Sequence, residues 1–192
     1  MDWPSAASPM QFTFVDRVLQ LEPGVKVTTL KCLSLAEEYL ADHFPRFPVM
    51  PGVLMLQAMI DAGALLVAAT EDFTHSMITL KEARNVRFAD FVQPGRVLAV
   101  TAEIRKFDDR DVELNTQGSV DGRPAVNGRI VLERYNLADT RPILADTDAY
   151  LRQHLRTRLA LLYQPPEEFA AAASSRLMAP LSSPPESRRD EV

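Results

Sequence analysis

The chain begins with a short alternating stretch, continues through a long unbroken apolar stretch, and then alternates again over a longer region. From Val25 to Leu35, Val25, Val27, Thr29 and Lys31 fall on one side and Lys26, Thr28, Leu30 and Cys32 on the other. This period of two predicts a strand. An apolar segment, Gln11 to Val18, precedes it, with a turn at Glu22-Pro23-Gly24 between them. Glu37 to Leu40 reads as a short helical turn. Pro51 to about Ala69 is apolar on nearly every face, as in a helix enclosed by other elements. Pro51 suits its first turn, where a missing N–H would be unpaired anyway. Further strands are predicted at Ser76–Leu80, Ala83–Phe88, Arg96–Phe107, Val112–Val120 and Pro124–Tyr135. Between the last two, Asp121-Gly122-Arg123 is a tight-hairpin signal, since glycine accepts positive φ without steric cost.

A strand, an apolar helix and then antiparallel strands predict an α+β fold in which a curved antiparallel sheet wraps a long central helix. Such a sheet leaves edges, and two copies pairing edge to edge would cover them, so a homodimer is expected. Asp146 to Tyr163 predicts an added amphipathic helix, with Leu151, Leu155, Leu159 and Leu162 as its apolar stripe and Asp146, Thr147 or Asp148 as its cap. Beyond Gln164 the composition turns to Pro, Ala and Ser, as in a disordered tail. The expected organisation is a flexible arm at 1–10, one domain at 11–137, a linker and helix at 138–164, and a tail at 165–192.

Composition narrows the function classes. A chain of 192 residues, 46% hydrophobic and 24% charged, suits a globular domain with a sizeable core. A net charge of −5 and no dense Lys/Arg block argue against nucleic acid as a partner. The single cysteine, Cys32, excludes an internal disulfide and is expected to be a buried strand residue. The N-terminus lacks the basic and then apolar regions of a signal peptide, which predicts a cytoplasmic protein. The apolar run from Val49 to Ala69 contains Pro51, Gly52, Gln57, Asp61 and Gly63; it reads as a core helix rather than a membrane span. His75 and His154 show no zinc-ligand spacing, and no metal is expected.

The residues that suggest chemistry are His43-Phe44-Pro45-Arg46-Phe47-Pro48-Val49-Met50-Pro51-Gly52-Val53-Leu54. Proline fixes φ near −65° and removes a donor, so this loop has few accessible shapes and can aim its histidine. The stretch resembles the core motif of the bacterial 3-hydroxyacyl-acyl-carrier-protein dehydratases of FabZ/FabA type, which have a hot-dog fold. Phe14-Val15-Asp16-Arg17-Val18, Leu21-Glu22-Pro23-Gly24, Val86-Arg87-Phe88, Val92-Gln93-Pro94-Gly95 and Val120-Asp121-Gly122 continue the likeness in order from about Gln11 to Asn136. The resemblance implies a dimer with two shared sites, often a trimer of dimers, acting on acyl chains carried by acyl carrier protein without a cofactor. It implies dehydration of a (3R)-hydroxyacyl thioester to a trans-2-enoyl thioester in fatty-acid or related lipid biosynthesis.

Dehydration beside a thioester needs a base for the C2 proton, an acid for the departing 3-hydroxyl, and donors for the carbonyl oxygen. His43 suits the first task, because an unperturbed imidazole titrates near working pH. The backbone N–H of Gly52, at the start of the central helix, suits the third. By resemblance, the Val49 carbonyl orients His43 or the hydroxyl, and Phe44, Met50, Pro51 and Val53 line the substrate tunnel. The second task departs from the family. Fourteen residues after His43, where the family carries Glu or Asp from the partner subunit, this chain has Gln57. An amide holds a hydroxyl or a water but delivers no proton. Asp61, four residues on and on the same helix face, is either an acid acting through water or a structural carboxylate. The family often has an amide near this point, as if acid and amide had exchanged places. Three functions stay open: dehydratase, non-catalytic acyl-carrier-protein binding module, and thioesterase with Asp61 activating water. The intact His43 loop favours the first.

Overall fold

The computed structural model describes residues 13–164; the predicted arm at 1–10 and tail at 165–192 lie outside the described residues. Six strands and two helices follow in the order β1 Arg17–Glu22, β2 Lys26–Cys32, α1 Gly52–Thr70, β3 Met77–Phe88, β4 Val97–Phe107, β5 Asp111–Val120, β6 Arg123–Tyr135 and α2 Ala145–Leu162. The strands form one antiparallel sheet in the order β1-β2-β4-β5-β6-β3, with α1 packed against β2 through β6. This is the α+β hot-dog arrangement with an added C-terminal helix.

Alternation along the strands builds the core. Val27 and Thr29 on β2, Leu98, Val100 and Ala102 on β4, and Val112 and Leu114 on β5 all point inward and are buried. Met55, Met59, Leu65 and Leu66 of α1 meet them. Each Val, Leu or Met side chain so removed from water contributes about 1.5–3 kcal/mol. Gly63 lets the helix lie close to the sheet, since a Cβ there would sit 3.2 Å from Leu132 and 3.3 Å from Ile130. By length and composition α1 would cross a membrane, yet here it is the core helix that the sequence predicts.

Four local expectations change. The predicted pair of strands at 76–80 and 83–88 is the single strand β3. It continues past Lys81 through irregularities at Leu80/Glu82 and Arg84/Arg87, with Asn85 at a φ of +53°. A bulge absorbs an extra residue and resets the alternation, which imitates a strand break in sequence. The apolar segment expected at 11–18 leads into β1, which starts only at Arg17. Cys32 is exposed rather than buried; its inward-facing neighbour is Lys31, whose Nζ lies 2.8 Å from Glu37 and 3.5 Å from Asp16. Strand parity therefore prevails over side-chain polarity, and two carboxylates compensate the lysine.

Asp148 does not cap α2. It lies inside the helix, is buried, and accepts hydrogen bonds from the Ser76 hydroxyl and from the N–H groups of Leu137 (2.9 Å) and Ala138 (2.8 Å). It ties the helix to the linker and to the residue before β3. Three of the four stripe leucines pack against the body, with Leu159 buried and Leu155 and Leu162 against the core. Tyr163 then bridges to Val18 of β1.

Burial alone would raise the Asp148 pKa, but the Ser76 hydroxyl and the two amides outweigh it, with Arg152 adding to them, and hold the carboxyl below its ordinary value. A folded-state pKa below the unfolded one gives stability that is complete above about pH 4 and is lost as pH falls through the folded value. Asp148→Asn should therefore lower Tm clearly at pH 7, and the gap to the parent should narrow near pH 3. Thermal melts at both pH values check this; an equal gap at both would show that the carboxylate's charge is not what matters.

Candidate active site

The Pro-rich loop holds its shape through short backbone contacts. Phe47 N–H donates to the Phe44 carbonyl at 2.9 Å, Val49 N–H to the His43 carbonyl at 3.1 Å, and Met50 N–H to Val92 at 2.9 Å. The last bond ties the loop to the connection between β3 and β4. The His43–Phe44 peptide is cis, and the two rings stack with centroids 4.3 Å apart. His43 Nδ1 lies 3.0 Å from the Val49 carbonyl oxygen. A carbonyl only accepts, so Nδ1 carries the hydrogen and Nε2 keeps its lone pair. The imidazole is thereby fixed in the tautomer that a base requires.

His43 borders a cavity of about 320 Å³ that is also lined by Val49, Met50, Gly52, Met55 and the segment 88–91. Helix α1 opens onto this cavity. The N–H groups of Leu54 and Met55 turn back onto the Pro51 carbonyl at 2.9 and 3.2 Å, which leaves those of Gly52 and Val53 without an intrahelical acceptor. The Phe88 ring closes over Gly52, where a Cβ would come within 3.1 Å of it. A side chain at position 52 would have to displace that ring.

Four of the sequence-predicted residues, His43, Val49, Met50 and Gly52, thus meet around one cavity. Phe44 lies behind His43, Pro51 precedes the helix, and Val53 points outward, 67% exposed. Sequence reasoning missed Met55, Phe88, Ala89, Asp90 and Phe91 as wall residues. Their signal was the Phe88–Val92 run, apolar except at Asp90, that directly precedes the Gln93-Pro94-Gly95 turn. Among the described residues, Asp90 and His43 are the only titratable side chains on the cavity wall. Asp90 Oδ1 accepts the Phe91 N–H at 2.8 Å.

Gln57 and Asp61 do not line this cavity within one protomer. They lie farther along α1, on a half-exposed face shared with Leu56 and Ile60. Gln57 Nε2 donates to Asp61 Oδ1 at 2.8 Å, and Phe14 N–H donates to Asp61 Oδ2 at 3.1 Å. Arg158 Nη2, on α2, is 3.7 Å from the same Oδ2. Every group that touches Asp61 is a donor, so its geometry is that of an acceptor rather than a proton donor. The Arg158 contact joins positions 97 residues apart, and no local pattern announces it. An acidic carrier protein would favour a basic rim, for which Lys81, Arg84, Arg87, Arg96, Arg105 and Lys106 are the candidates. Among the described residues, all of them except Arg87 are ion-paired with an acid.

Comparison with known proteins bears on family and fold. The FabA-like domain family matches residues 7–134. The 3-hydroxyacyl-[acyl-carrier-protein] dehydratase FabZ of Ruminiclostridium cellulolyticum is 37% identical over 119 residues, covering 62% of this chain and 84% of the relative. The enzyme of that name from Geobacillus thermodenitrificans is 35% identical over 125 residues, covering 64% and 80%. Among solved structures, the dehydratase heterocomplex ApeI:P from Xenorhabdus doucetiae superposes with a TM-score of 0.58 at 16% identity, over 69% of this chain and 90% of that one, a likeness of fold. With two thirds of its length matched by the family and relatives covered over most of theirs, the chain belongs to the FabA-like family of FabZ/FabA type.

Proposed function

We propose that this protein is a hydro-lyase that dehydrates (3R)-hydroxyacyl thioesters on acyl carrier protein to trans-2-enoyl thioesters, in cytoplasmic fatty-acid or related lipid biosynthesis. The observation that carries the reading is His43, fixed by the Val49 carbonyl with Nε2 free, beside the open N-terminus of α1. The printed names of the relatives support the same substrate class.

In this reading the thioester carbonyl sits against the Gly52 N–H, where the helix dipole and a free donor stabilise the charge that builds on oxygen. His43 Nε2 takes the C2 proton. The electron pair of that C–H bond forms the C2–C3 double bond as the C3–O bond breaks. The imidazolium then returns the proton to the departing hydroxyl, and water leaves. One residue thus serves as base and then acid, and the step needs no second proton donor. Gln57 holds the hydroxyl by hydrogen bonding, and Asp61 acts on the site through Gln57.

Gln57 reaches a cavity only if a second copy supplies it, and the fold offers a place for that copy. Strand β3 pairs with β6 alone, so a 12-residue strand forms one edge of the sheet. A second β3 along that edge would pair its free N–H and C=O groups and cover Val53, Leu56 and Ile60 of α1. The proposed assembly is this homodimer, extended by the resemblance to a trimer of dimers.

Hydration of a trans-2-enoyl thioester on acyl carrier protein, the reverse reaction, tests the reading. Mass spectrometry should detect a 3-hydroxyacyl product, and His43→Ala should lose roughly 10²–10⁴-fold in rate. Free acid in place of that product would make the protein a thioesterase; neither product, with carrier binding intact, would make it a binding module. Asp90→Asn separates the routes of the proton. If His43 shuttles it alone, this variant should lose less than about tenfold, whereas a loss matching His43→Ala would assign the acid to Asp90.

A further inference from the structure

Helix α2 lies beyond the stretch that the FabA-like family matches, 7–134, yet one of its side chains reaches the helix that carries Gln57. Asp61 accepts from three separate parts of the chain: the backbone of Phe14, the Gln57 amide and, as an ion pair, Arg158. The Asp61 side chain is 14% exposed and that of Arg158 23%, so water screens the pair only in part. Arg158 Nη2 is itself buried and makes no hydrogen bond among the described residues, so the ion pair with Asp61 at 3.7 Å is what balances its charge.

The charge on Asp61 has a directional consequence. A carboxylate only accepts hydrogen bonds, so the NH₂ end of Gln57 must face Asp61 Oδ1. The amide carbonyl, Oε1, is then turned away, toward the half-exposed face of α1. A neutral amide at position 61 would accept either orientation and would leave Gln57 free to flip. Arg158 balances the charge that enforces the choice, and without it a poorly solvated carboxylate would stand unpaired beside Gln57.

We propose that Arg158 and Asp61 are positioning residues that lock the Gln57 side chain with Oε1 presented as a hydrogen-bond acceptor, making α2 a working part of the site. The consequence for turnover rests on the dehydratase reading above: Oε1 receives the O–H of the substrate's 3-hydroxyl, or of the water that replaces it, and holds that oxygen in line with His43. The orientation of the amide itself does not depend on that reading.

The test uses the full chain with Arg158→Met, Asp61→Asn, Gln57→Ala and the conservative Arg158→Lys. In the enoyl-thioester hydration assay, Arg158→Met and Asp61→Asn should each lower kcat about ten- to hundredfold with little change in KM. Arg158→Lys should recover most of the loss. Once Gln57 is alanine, Arg158→Met should cost nothing further, because it acts through a group already removed. An equal loss with and without Gln57 would make Arg158 merely structural and overturn the proposal, as would an unchanged kcat in folded Arg158→Met.

A second readout stands apart from activity. The side-chain NH₂ signals of Gln57, identified by their loss in Gln57→Ala, should be shifted and slow to exchange in the parent. In Arg158→Met they should move toward the values of a free glutamine. Parent signals that already match free glutamine would overturn the locked amide. A locked amide in a protein with no turnover would instead remove the dehydratase reading and leave the positioning intact.

Discussion

The seating of α1 in the sheet is the constraint on which the rest of the molecule depends. A 19-residue apolar helix is stable in water only when most of its surface is covered, and the six-stranded sheet covers one side. That packing fixes where the helix begins, at Gly52, and so where two free N–H groups meet the Pro-rich loop. Gly63 sets how closely the helix lies on β5 and β6, and Gly52 sets how closely Phe88 closes over its end. The oxyanion site of the proposed reaction is therefore a by-product of core packing. The chain adds only a loop stiff enough to place His43 beside it.

What the sheet leaves uncovered is equally informative. One flank of α1, through Val53, Leu56, Gln57 and Ile60, is only partly shielded by its own chain. On that flank sits Asp61, a charge on an otherwise apolar helix. A partly buried carboxylate loses some of its water and must find donors in the protein instead. Asp61 draws its donors from the segment before β1, from its own helix and from α2. Three segments distant in sequence are thus held at one point, six residues along α1 from Met55, the nearest residue of that helix on the cavity wall.

Much of the fold was legible because it rests on short-range regularities. The period of two in β2, β4 and β5, the Asp121-Gly122 hairpin, the enclosed helix and the His43 loop could all be read along the chain. So could the α2 leucine stripe, since i, i+4 spacing is local. The errors share a different origin. Cys32 is expected inside because it lies in an alternating strand run, yet parity gives the inward position to Lys31, and Glu37 and Asp16 make that tolerable. β3 was read as two strands because a bulge resets alternation. Asp148 was read as a cap from its place near a helix start, but its partners are Ser76 and a turn some ten residues upstream. The candidate site divided along the same line. Residues of the loop and of the helix start were found, and Phe88 and Asp90 lay within an apolar run that marks them, while Arg158 reaches the flank from an element whose approach no local pattern encodes.

The exchange of acid for amide on α1 bears on how much chemistry one histidine can carry. A separate acid shortens the path of the second proton, but dehydration releases as many protons at C2 as it consumes at the leaving oxygen. A base that keeps its proton close to the departing hydroxyl can complete the cycle alone, provided the oxygen is held still while the proton returns. An acceptor of fixed direction supplies that hold, and a glutamine becomes one only when its NH₂ end is tied down. Asp61 ties it in this chain, and Arg158 keeps Asp61 from being a charge without a partner. Moving the negative charge one turn along α1 therefore trades a proton donor for a rigid hydrogen-bond acceptor and, in the same step, gives the added helix something to bind.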